Sequence, residues 1–554
     1  MLSWDVGKVP EDRRGALVGR GAPFEVTEEL VLDVPTPVFA RRAPNLRALL
    51  ASAAESKGEL PYLVFPERTL TFADVAAAAG RVAEVLATEY GVAKGDRVAF
   101  AGANIAPYAV AWWATVSLGA IVSSLNGWWT PAELRHGVDL TTPTVVFADE
   151  RRLERLVAAE LPSNVRLVPF AALEPLLDAT GGTLPSVPIA EDDPLLVLFT
   201  SGTTGRPKAA VLSHRNMVHC AMSAALGGAL TTPPVDGLPA QGAVIQTGPF
   251  FHVSGALPLA SAPLHGTKMV FALPGPWNET THLELTERHR ITSWSGVPTN
   301  YWRLLESPDF DHFDVSSVRT IGSGGAVFPP ELIRLARSRI PGVRVTNGYG
   351  MSETVGSGTR LNGDLPERAP ASVGAVEPTC FVETRDPEGK PLPDGEVGEI
   401  CIRGACVFLG YWDNPDATAA ALDDERWYRT GDYGRIEDGL LYLESRMRDL
   451  VIRGGENIYP IEIENRLIEH PDITDVCVVG VEHKVLGQEV VAVVVRRPGS
   501  PLDEAGVRAW AAEALAAFKV PAHVLFRTAL PYTQTGKVLK HEVEADAAST
   551  LLTP

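Results

Sequence analysis

The sequence has few cysteines, and its basic residues are fewer than its acidic ones. Its five cysteines among 554 residues form an odd set, Cys220, Cys380, Cys401, Cys406 and Cys477, and none has a partner at metal-ligand spacing. This usage argues against a disulfide-stapled fold and predicts a reducing, cytoplasmic compartment. The formal net charge of -19 disfavours nucleic-acid binding, because the phosphate backbone carries the same sign of charge.

Long hydrophobic runs are also missing. The longest uncharged stretch, residues 98–132, is interrupted by Asn104, Pro107 and Asn126. It therefore predicts a buried strand and helix rather than a membrane span. Charges and proline stand in the N-terminal segment where a secretory signal needs an apolar run, so no targeting signal is expected. Peripheral contact with a membrane stays open.

The order of the predicted elements is that of an α/β protein. Apolar runs such as DRVAFA, TVVFAD and LLVLFT alternate with helix-like segments, one beginning at Pro107 and another capped by Ser213. Between about residues 360 and 445, short β-rich runs with glycine and proline replace the helices. After Asp449 we expect a compact α+β unit with two valine-rich strands and a final strand around HVLFR.

The most informative segment follows the apolar run LLVLFT. It comprises Thr200, Ser201, Gly202, Thr203, Thr204, Gly205, Arg206, Pro207 and Lys208, and it differs from the Walker A pattern. Its glycines allow backbone N–H groups to converge on phosphate oxygens, its hydroxyls add donors, and Lys208 adds a positive charge. The loop suits the phosphates of a nucleotide, and a flexible surface turn is the alternative.

Six motifs in this order resemble those of the adenylate-forming superfamily, which includes acyl-CoA synthetases, peptide-synthetase adenylation domains and firefly luciferase. They are the loop ending at Lys208, Gly324-Gly325-Ala326, the segment from Tyr349 to Glu353, the segment from Tyr428 to Asp432, GGENIYP after Arg453, and LPYTQTGK ending at Lys537. The resemblance implies an AMP-forming acyl-CoA synthetase that uses ATP, Mg²⁺ and coenzyme A.

The resemblance also implies an architecture. A large N-terminal domain, residues 1–449, would contain parallel-sheet α/β layers and the β-rich subdomain. A small α+β C-terminal domain, residues 450–554, would rotate about Asp449 between adenylation and thioester formation.

Four catalytic residues follow from the same resemblance. Glu353 would hold Mg²⁺ on the phosphates, since a hard cation prefers oxygen ligands. Its neighbour Ser352 stands where the family usually has threonine. Lys537 would reach the substrate carboxylate and the α-phosphate, where its charge stabilises bond formation. His252 in PFFHVSG would border the acyl and pantetheine channels, and a buried structural histidine is the alternative.

The remaining implied contacts concern the nucleotide and coenzyme A. Asp432 would accept hydrogen bonds from the ribose hydroxyls, and Arg446 would lie near the ribose and the α-phosphate. Arg448 stands where the family usually has lysine, so its role is left open. Two segments that include small residues would let adenine lie against the backbone, and two glycines would let pantetheine pass through a tunnel. These residues are Gly324, Gly325, Ala326, Asn347, Gly348, Tyr349 and Gly350 for adenine, and Gly454 and Gly455 for pantetheine.

The expected substrate is an apolar carboxylic acid, with a medium- or long-chain fatty acid as the first choice. Amino-acid-activating relatives usually carry an aspartate near PFFHVSG, and residues 250–255 contain no acid. The segments PFFHVSG, SWSGVPTN and GSGGA are mostly small, apolar or aromatic. Trp294 could shorten the cavity or pack in the core, whereas Gly322 and Gly324 could leave it open.

Two alternatives to an acyl-CoA synthetase remain at this point. A fatty acyl-AMP ligase that loads an acyl-carrier protein would use the same adenylating residues. A catalytically silent nucleotide- or acyl-binding protein would be marked by the loss of Lys208, Glu353, Asp432 or Lys537, and all four are present. The oligomeric state leaves no signature in the sequence.

Overall fold

The computed structural model describes most of the chain. The described residues are 11–200, 207–231, 241–324, 328–363, 365–369, 371–446, 449–453, 456–483, 486–533 and 537–552.

Strands occur along the whole chain and become denser after residue 340. They are β1 (Val26–Val31), β2 (Val34–Phe39), β3 (Pro61–Val64), β4 (Thr69–Thr71), β5 (Arg97–Ala101), β6 (Ile121–Ser124), β7 (Val145–Ala148), β8 (Arg166–Pro169), β9 (Pro194–Thr200), β10 (Lys208–Ser213), β11 (Ala243–Ile245), β12 (Lys268–Val270), β13 (Ser293–Gly296), β14 (Thr320–Gly324), β15 (Arg344–Tyr349), β16 (Thr359–Leu361), β17 (Ser372–Val376), β18 (Cys380–Arg385), β19 (Gly398–Gly404), β20 (Gly410–Tyr411), β21 (Tyr428–Glu437), β22 (Leu440–Arg446), β23 (Val451–Arg453), β24 (Glu456–Ile458), β25 (Ile473–His483), β26 (Gly487–Arg496) and β27 (His523–Arg527).

Helices alternate with these strands over the first two thirds of the chain. They are α1 (Glu11–Val18), α2 (Leu46–Lys57), α3 (Phe72–Thr88), α4 (Ala106–Ser117), α5 (Pro131–Thr141), α6 (Glu150–Ala158), α7 (Glu174–Asp178), α8 (His214–Thr231), α9 (Val253–His265), α10 (Glu279–His289), α11 (Pro298–Leu305), α12 (Pro330–Arg339), α13 (Leu365–Arg368), α14 (Pro415–Ala421), α15 (Pro460–Ile468), α16 (Glu504–Ala512) and α17 (Lys540–Leu552).

Within the described residues the strands form four sheets. β1 and β2 make a hairpin, and seven strands in the order β20-β10-β9-β6-β5-β7-β8 make a second sheet. From β9 to β8 its neighbours are parallel, whereas β10 and β20 are antiparallel additions at one edge. This edge carries the predicted phosphate loop.

The third sheet has thirteen strands and changes character in its middle. Its order is β18-β19-β21-β22-β17-β16-β15-β14-β13-β11-β12-β3-β4. The neighbours from β15 to β3 are parallel, and those from β18 to β16 are antiparallel. The antiparallel half is the β-rich subdomain that the sequence predicts, so the predicted fold class is confirmed.

Two local predictions illustrate why the elements form where they do. Ser213 caps α8: its hydroxyl accepts the Asn216 N–H at 3.2 Å and its own N–H donates to the Asn216 side chain at 2.8 Å. Helix α4, which contains Pro107, is buried along its whole length. In the part of the chain described by the structure, no helix is long and apolar enough to cross a membrane.

The strands after residue 450 form a separate sheet with a core on each face. Val478, Val490 and Val494 pack on one side, whereas Val479 and Val491 pack on the other. Both faces are covered because α17 follows β27 and lies against β25. The final strand predicted around HVLFR is β27, and α17, a helix that was not predicted, follows it. Burial of both faces explains why these strands are runs of valine.

Candidate active site

Strand pairing closes the base of the predicted phosphate loop. β9 ends at Thr200 and β10 begins at Lys208, and these two residues are direct partners in the antiparallel pair. Ser201, Gly202, Thr203, Thr204 and Gly205 lie outside the described residues. The pairing places the first hydroxyl of the loop beside its lysine.

Glu353 is a buried acid at the base of this loop. It lies in a single 3₁₀ turn, Ser352–Thr354, and is 6% exposed. Its carboxylate accepts a hydrogen bond from the Tyr411 hydroxyl at 3.0 Å and another from Thr200. Burial raises the pKa of Glu353, while its own backbone, Tyr411, Thr200 and the charge of Lys208 oppose that rise. The structure thus brings Glu353, Thr200 and Lys208 together, as the sequence predicts.

The backbone around Glu353 is tightly constrained. Its carbonyl accepts the Phe408 N–H at 2.8 Å, and the Ser352 carbonyl accepts the Val355 N–H at 3.2 Å. Val355 is fully buried with φ 55, a left-handed conformation that β-branched residues rarely adopt. Such backbone strain persists where the surrounding structure determines it, and it clusters at functional sites. The turn therefore holds the backbone that carries the Glu353 side chain in place.

The chemistry of this site fits a magnesium ion. The buried carboxylate of Glu353 has hydroxyl partners, and no basic side chain of the described residues forms an ion pair with it. The described residues contain no group of three acidic, histidine or cysteine side chains that could hold a metal alone. One carboxylate beside a phosphate site is the arrangement that suits Mg²⁺, which keeps waters and takes phosphate oxygens as further ligands.

Tyr349 and Asp432 meet at the other end of the site. The Tyr349 hydroxyl donates to Asp432 Oδ2 at 2.8 Å. Asp432 lies on β21 directly opposite Arg446 of β22, whose side chain is outside the described part of the structure. The two predicted ribose residues are therefore backbone neighbours, and Tyr349 joins Asp432 to the predicted adenine segment.

Gly324 and Gly350 serve different purposes in the adenine segment. A Cβ added at Gly324 would meet no atom of the described residues within 4 Å. A Cβ at Gly350 would lie 2.3 Å from the Gly356 carbonyl carbon, so the protein's own turn requires glycine there. Gly324 pairs with Gly348, and Asn347 is buried beside them. Gly325 and Ala326 lie outside the described residues.

His252 and Lys537 interact electrostatically although 285 residues separate them in the sequence. His252 is the N-cap of α9, and its Nδ1 accepts the Ser254 N–H at 3.2 Å. Burial lowers the pKa of His252 to about 4, and the nearby charge of Lys537 contributes in the same direction. Lys537 itself is exposed on a turn in which its N–H donates to Thr533 Oγ1 at 3.0 Å. The C-terminal lysine thus lies within electrostatic reach of the N-terminal site.

The predicted hinge residue, Asp449, lies near a partly buried ion pair. Lys540 Nζ is 2.9 Å from Glu464 Oε1. Burial lowers the pKa of Lys540, but Glu464, Cys477 and Asp449 outweigh this effect and the net shift is upward. Gly454 and Gly455, between β23 and β24, lie outside the described residues, as does Arg448. The boundary after Asp449 stays a prediction.

Tyr411 and Tyr428 are site residues that sequence reasoning missed. Tyr411 lies on the two-residue strand β20 and contacts Glu353 and Lys208, whose Nζ is 5.0 Å from its ring centroid. The Tyr428 hydroxyl is hydrogen-bonded to that of Tyr411. Tyr428 belongs to the YRTGD motif, which was a signal for its position. Tyr411 has no comparable local signal.

The residues that flank His252 in the chain, and Trp294 of the predicted acyl pocket, are apolar. Phe251 is buried and its ring lies 4.8 Å from that of Trp128, edge to face. Val253 lies next to Gly356, where an added Cβ would be 3.7 Å from Val253 Cγ2. Trp294 is fully buried and its Nε1 donates to Thr286 Oγ1 at 3.0 Å. Of its two predicted roles, the structure supports packing in the core.

Family models match two long parts of the chain. Residues 50–412 match the AMP-binding enzyme family, and residues 462–537 match the AMP-binding enzyme C-terminal domain. Together these matches span both the buried site and the turn that carries Lys537.

Individual proteins resemble the chain over most of its length. An indoleacetate–CoA ligase of Aromatoleum aromaticum is 34% identical, with 86% of this chain and 93% of that protein covered. The structure of ATP-bound MatB from Rhodopseudomonas palustris has a TM-score of 0.80 at 30% identity, covering 91% of this chain and 99% of that chain. A Mycobacterium tuberculosis fatty acyl CoA synthetase has a TM-score of 0.73 at 28% identity, covering 92% and 99%.

Proposed function

Because the chain belongs to the AMP-binding enzyme family and is an AMP-forming acid–CoA ligase that uses ATP and coenzyme A, we propose that its substrate is an apolar carboxylic acid, and a medium- or long-chain fatty acid in particular. The similar proteins have names that include indoleacetate and fatty acyl groups, so the kinship alone leaves the acid open.

The observation that carries the proposal is the lack of counter-charge around His252. Among the residues that the structure describes, Lys537 is the only charged group that shifts the pKa of His252. Phe251 and Val253 flank His252 in the chain, and the Phe251 ring packs edge to face against Trp128. If Lys537 binds the substrate carboxylate, a second charge on the acid would be desolvated without a partner. An apolar tail would instead gain from burial.

The proposed reaction proceeds in two balanced steps. The carboxylate attacks the α-phosphorus of ATP, a bond to AMP forms, and pyrophosphate leaves. The thiol of coenzyme A then attacks the acyl carbonyl, and AMP leaves as the thioester forms. In the first step two anions approach each other, so cationic groups must neutralise them.

The residues would share this first step as follows. Lys208 would hold phosphate oxygens at the base of the loop, and Asp432 would bind the ribose. Lys537 would hold the substrate carboxylate and stabilise charge on the α-phosphate. Glu353, with Thr200 beside it, would hold Mg²⁺. Bound there, the ion would supply positive charge to the phosphate oxygens and orient them.

A panel of acids tests the proposal. AMP release with ATP, Mg²⁺ and coenzyme A is measured for fatty acids of increasing length, for aryl acids and for acids with a second charged group. We expect kcat/KM to rise by about fourfold per added methylene until the site is full, since each buried methylene contributes about 0.8 kcal/mol. A preference for the doubly charged acids would overturn the proposal.

The acceptor is tested in the same assay. Free coenzyme A and an acyl-carrier protein are offered in parallel, with acyl-adenylate formation measured as the common first step. We expect thioester formation with coenzyme A. Transfer to the carrier protein alone would favour the fatty acyl-AMP ligase that the sequence left open.

A further inference from the structure

Tyr411 contacts both charged residues at the phosphate end of the site. Its hydroxyl lies 3.0 Å from Glu353 Oε1, and its ring centroid lies 5.0 Å from Lys208 Nζ. An ammonium over an aromatic face is attracted by the ring. Lys208 and Glu353 are both described, yet no ion pair joins them, and the phenol side chain contacts each of them instead.

Strand pairing fixes the backbone of Tyr411. β20 is antiparallel to β10, and Tyr411 stands directly opposite Ala210. Opposed residues share a face of the sheet, and so does Lys208, two residues from Ala210. On the other side, the Tyr411 N–H donates to Thr418 Oγ1 at 2.9 Å. The tyrosine is therefore held from β10 and from helix α14 at once.

The ring and the hydroxyl of Tyr411 are equally constrained. Phe408 packs edge to face against the ring with centroids 4.9 Å apart, and the Phe408 N–H also binds the Glu353 carbonyl. The Tyr428 hydroxyl is hydrogen-bonded to the Tyr411 hydroxyl. These contacts hold the Tyr411 side chain in the orientation in which it reaches both charges.

We propose that Tyr411 is a positioning residue for adenylation that holds the Glu353 carboxylate through its hydroxyl, holds the Lys208 ammonium over its ring, and keeps the two charges from pairing with each other. A direct ion pair would neutralise both groups, and ATP with its metal would have to break it before binding. Separated by the phenol, both groups are pre-organised for the triphosphate. The inference rests on the proposed roles of Glu353 and Lys208.

Two substitutions separate the two functions of the side chain. Tyr411→Phe removes the hydroxyl and keeps the ring, whereas Tyr411→Leu removes both. ATP affinity of the full chain is measured by calorimetry with and without Mg²⁺. For Tyr411→Phe we expect about tenfold weaker binding with Mg²⁺ and less than about twofold weaker binding without it, because one hydrogen bond to a charged group is lost. For Tyr411→Leu we expect weakening under both conditions, because Lys208 is also released.

A matched control removes a buried tyrosine hydroxyl elsewhere. Tyr62 is fully buried, and its hydroxyl donates to the Leu259 carbonyl and accepts from Trp113 Nε1. Tyr62→Phe should lower the melting temperature and leave ATP affinity unchanged with and without Mg²⁺. If Tyr411→Phe weakens binding equally under both conditions, or if Tyr62→Phe reproduces its pattern, Tyr411 is only structural and the inference is wrong.

Glu353→Gln distinguishes failure of the inference from failure of the proposed site. If this variant keeps the full effect of Mg²⁺ on ATP affinity, Glu353 does not hold the metal and the proposed role itself is wrong. If Glu353→Gln loses that effect while Tyr411→Phe keeps it, the metal role stands and only the inference about Tyr411 is overturned.

Discussion

The N-terminal region and the C-terminal unit contribute residues to the candidate site that differ in their burial. The N-terminal region supplies Glu353, which is buried and held by Tyr411 and Thr200. The C-terminal region supplies Lys537, which is exposed on a turn and belongs to a unit with its own sheet and cores. A buried charge needs a fixed environment, whereas an exposed lysine costs little to move. Burial can therefore distinguish a site residue that stays in place from one that a moving unit can carry toward the site and away from it.

Lys537→Ala is the sharpest test of this contrast. We expect adenylation, measured by ATP–pyrophosphate exchange, to fall by at least about a hundredfold, because a transition-state charge contact is lost. The melting temperature should stay unchanged, since Lys537 is exposed. Lys390→Ala, at another exposed lysine, serves as the control and should alter neither quantity. An unchanged rate of ATP–pyrophosphate exchange in Lys537→Ala would show that Lys537 takes no part in adenylation.

Glu353→Gln should have the next largest effect on adenylation, and it should not lower the thermal stability of the protein. We expect exchange to fall by about thirtyfold, because the carboxylate proposed to hold the metal is lost. The protein should be equally stable or more stable to heat, because burial already raises the pKa of Glu353 and glutamine removes a costly charge.

Glu377→Gln is the matched comparison for that result. Glu377 is as buried as Glu353 but is paired with Arg360 at 2.6 Å, and Arg360 is partly exposed. Its replacement should cost about 1–3 kcal/mol of stability, because a bond to a charged group is broken. If both variants lose the same stability, burial does not separate a functional acid from a structural one here.

Gly455→Trp tests the C-terminal contribution to the second step. A large side chain would fill the tunnel proposed for pantetheine, so thioester formation should fall by about tenfold or more while pyrophosphate exchange stays within about twofold. AMP release in the presence of coenzyme A measures thioester formation, and ATP–pyrophosphate exchange in its absence measures adenylation. Equal loss in both would argue that this loop serves adenylation.

The smallest expected effect reports where Lys537 lies. The pKa of His252 is about 4 in the folded chain, below the value of about 6.5 for a free histidine, so folding favours the neutral ring. Its contribution to stability is full above pH 6.5 and is lost as the pH falls toward 4. Ring NMR should show a midpoint near 4, and Lys537→Ala should raise it slightly. If the pKa of His252 is the same in Lys537→Ala as in the unsubstituted chain, the lysine lies away from the site.

Most of the fold could be predicted because its signals are local. The run LLVLFT, the cap at Ser213 and the glycine-rich β segments each determine their own structure over a few residues. Helix α17 escaped prediction because its residues show little amphipathic pattern. Its presence follows instead from the valine strands, which are apolar on both faces and therefore need a cover on each.

The site was predictable where a motif carries its own chemistry. Glu353, Lys208 and Asp432 were found in this way, and their roles stay predictions. Tyr411 was missed because its importance lies in a strand pairing between residues 210 and 411, which no local pattern shows. Gly350 illustrates a second limit: from the sequence alone, a glycine that admits a ligand and one that fits the protein's own turn look the same.

Strand β21 carries both ends of the nucleotide site on one piece of backbone. Asp432, which accepts a hydrogen bond from Tyr349, follows Tyr428 by four residues. Tyr428 contacts Tyr411, which in turn donates a hydrogen bond to Glu353. The strand is bulged between these residues: the stretch from Arg429 to Tyr433 in β21 is paired with the shorter stretch from Cys401 to Glu399 in β19, and Gly431 has φ 71. This bulge sets the spacing between Tyr428 and Asp432, so a slip in the pairing of β21 would displace both side chains together.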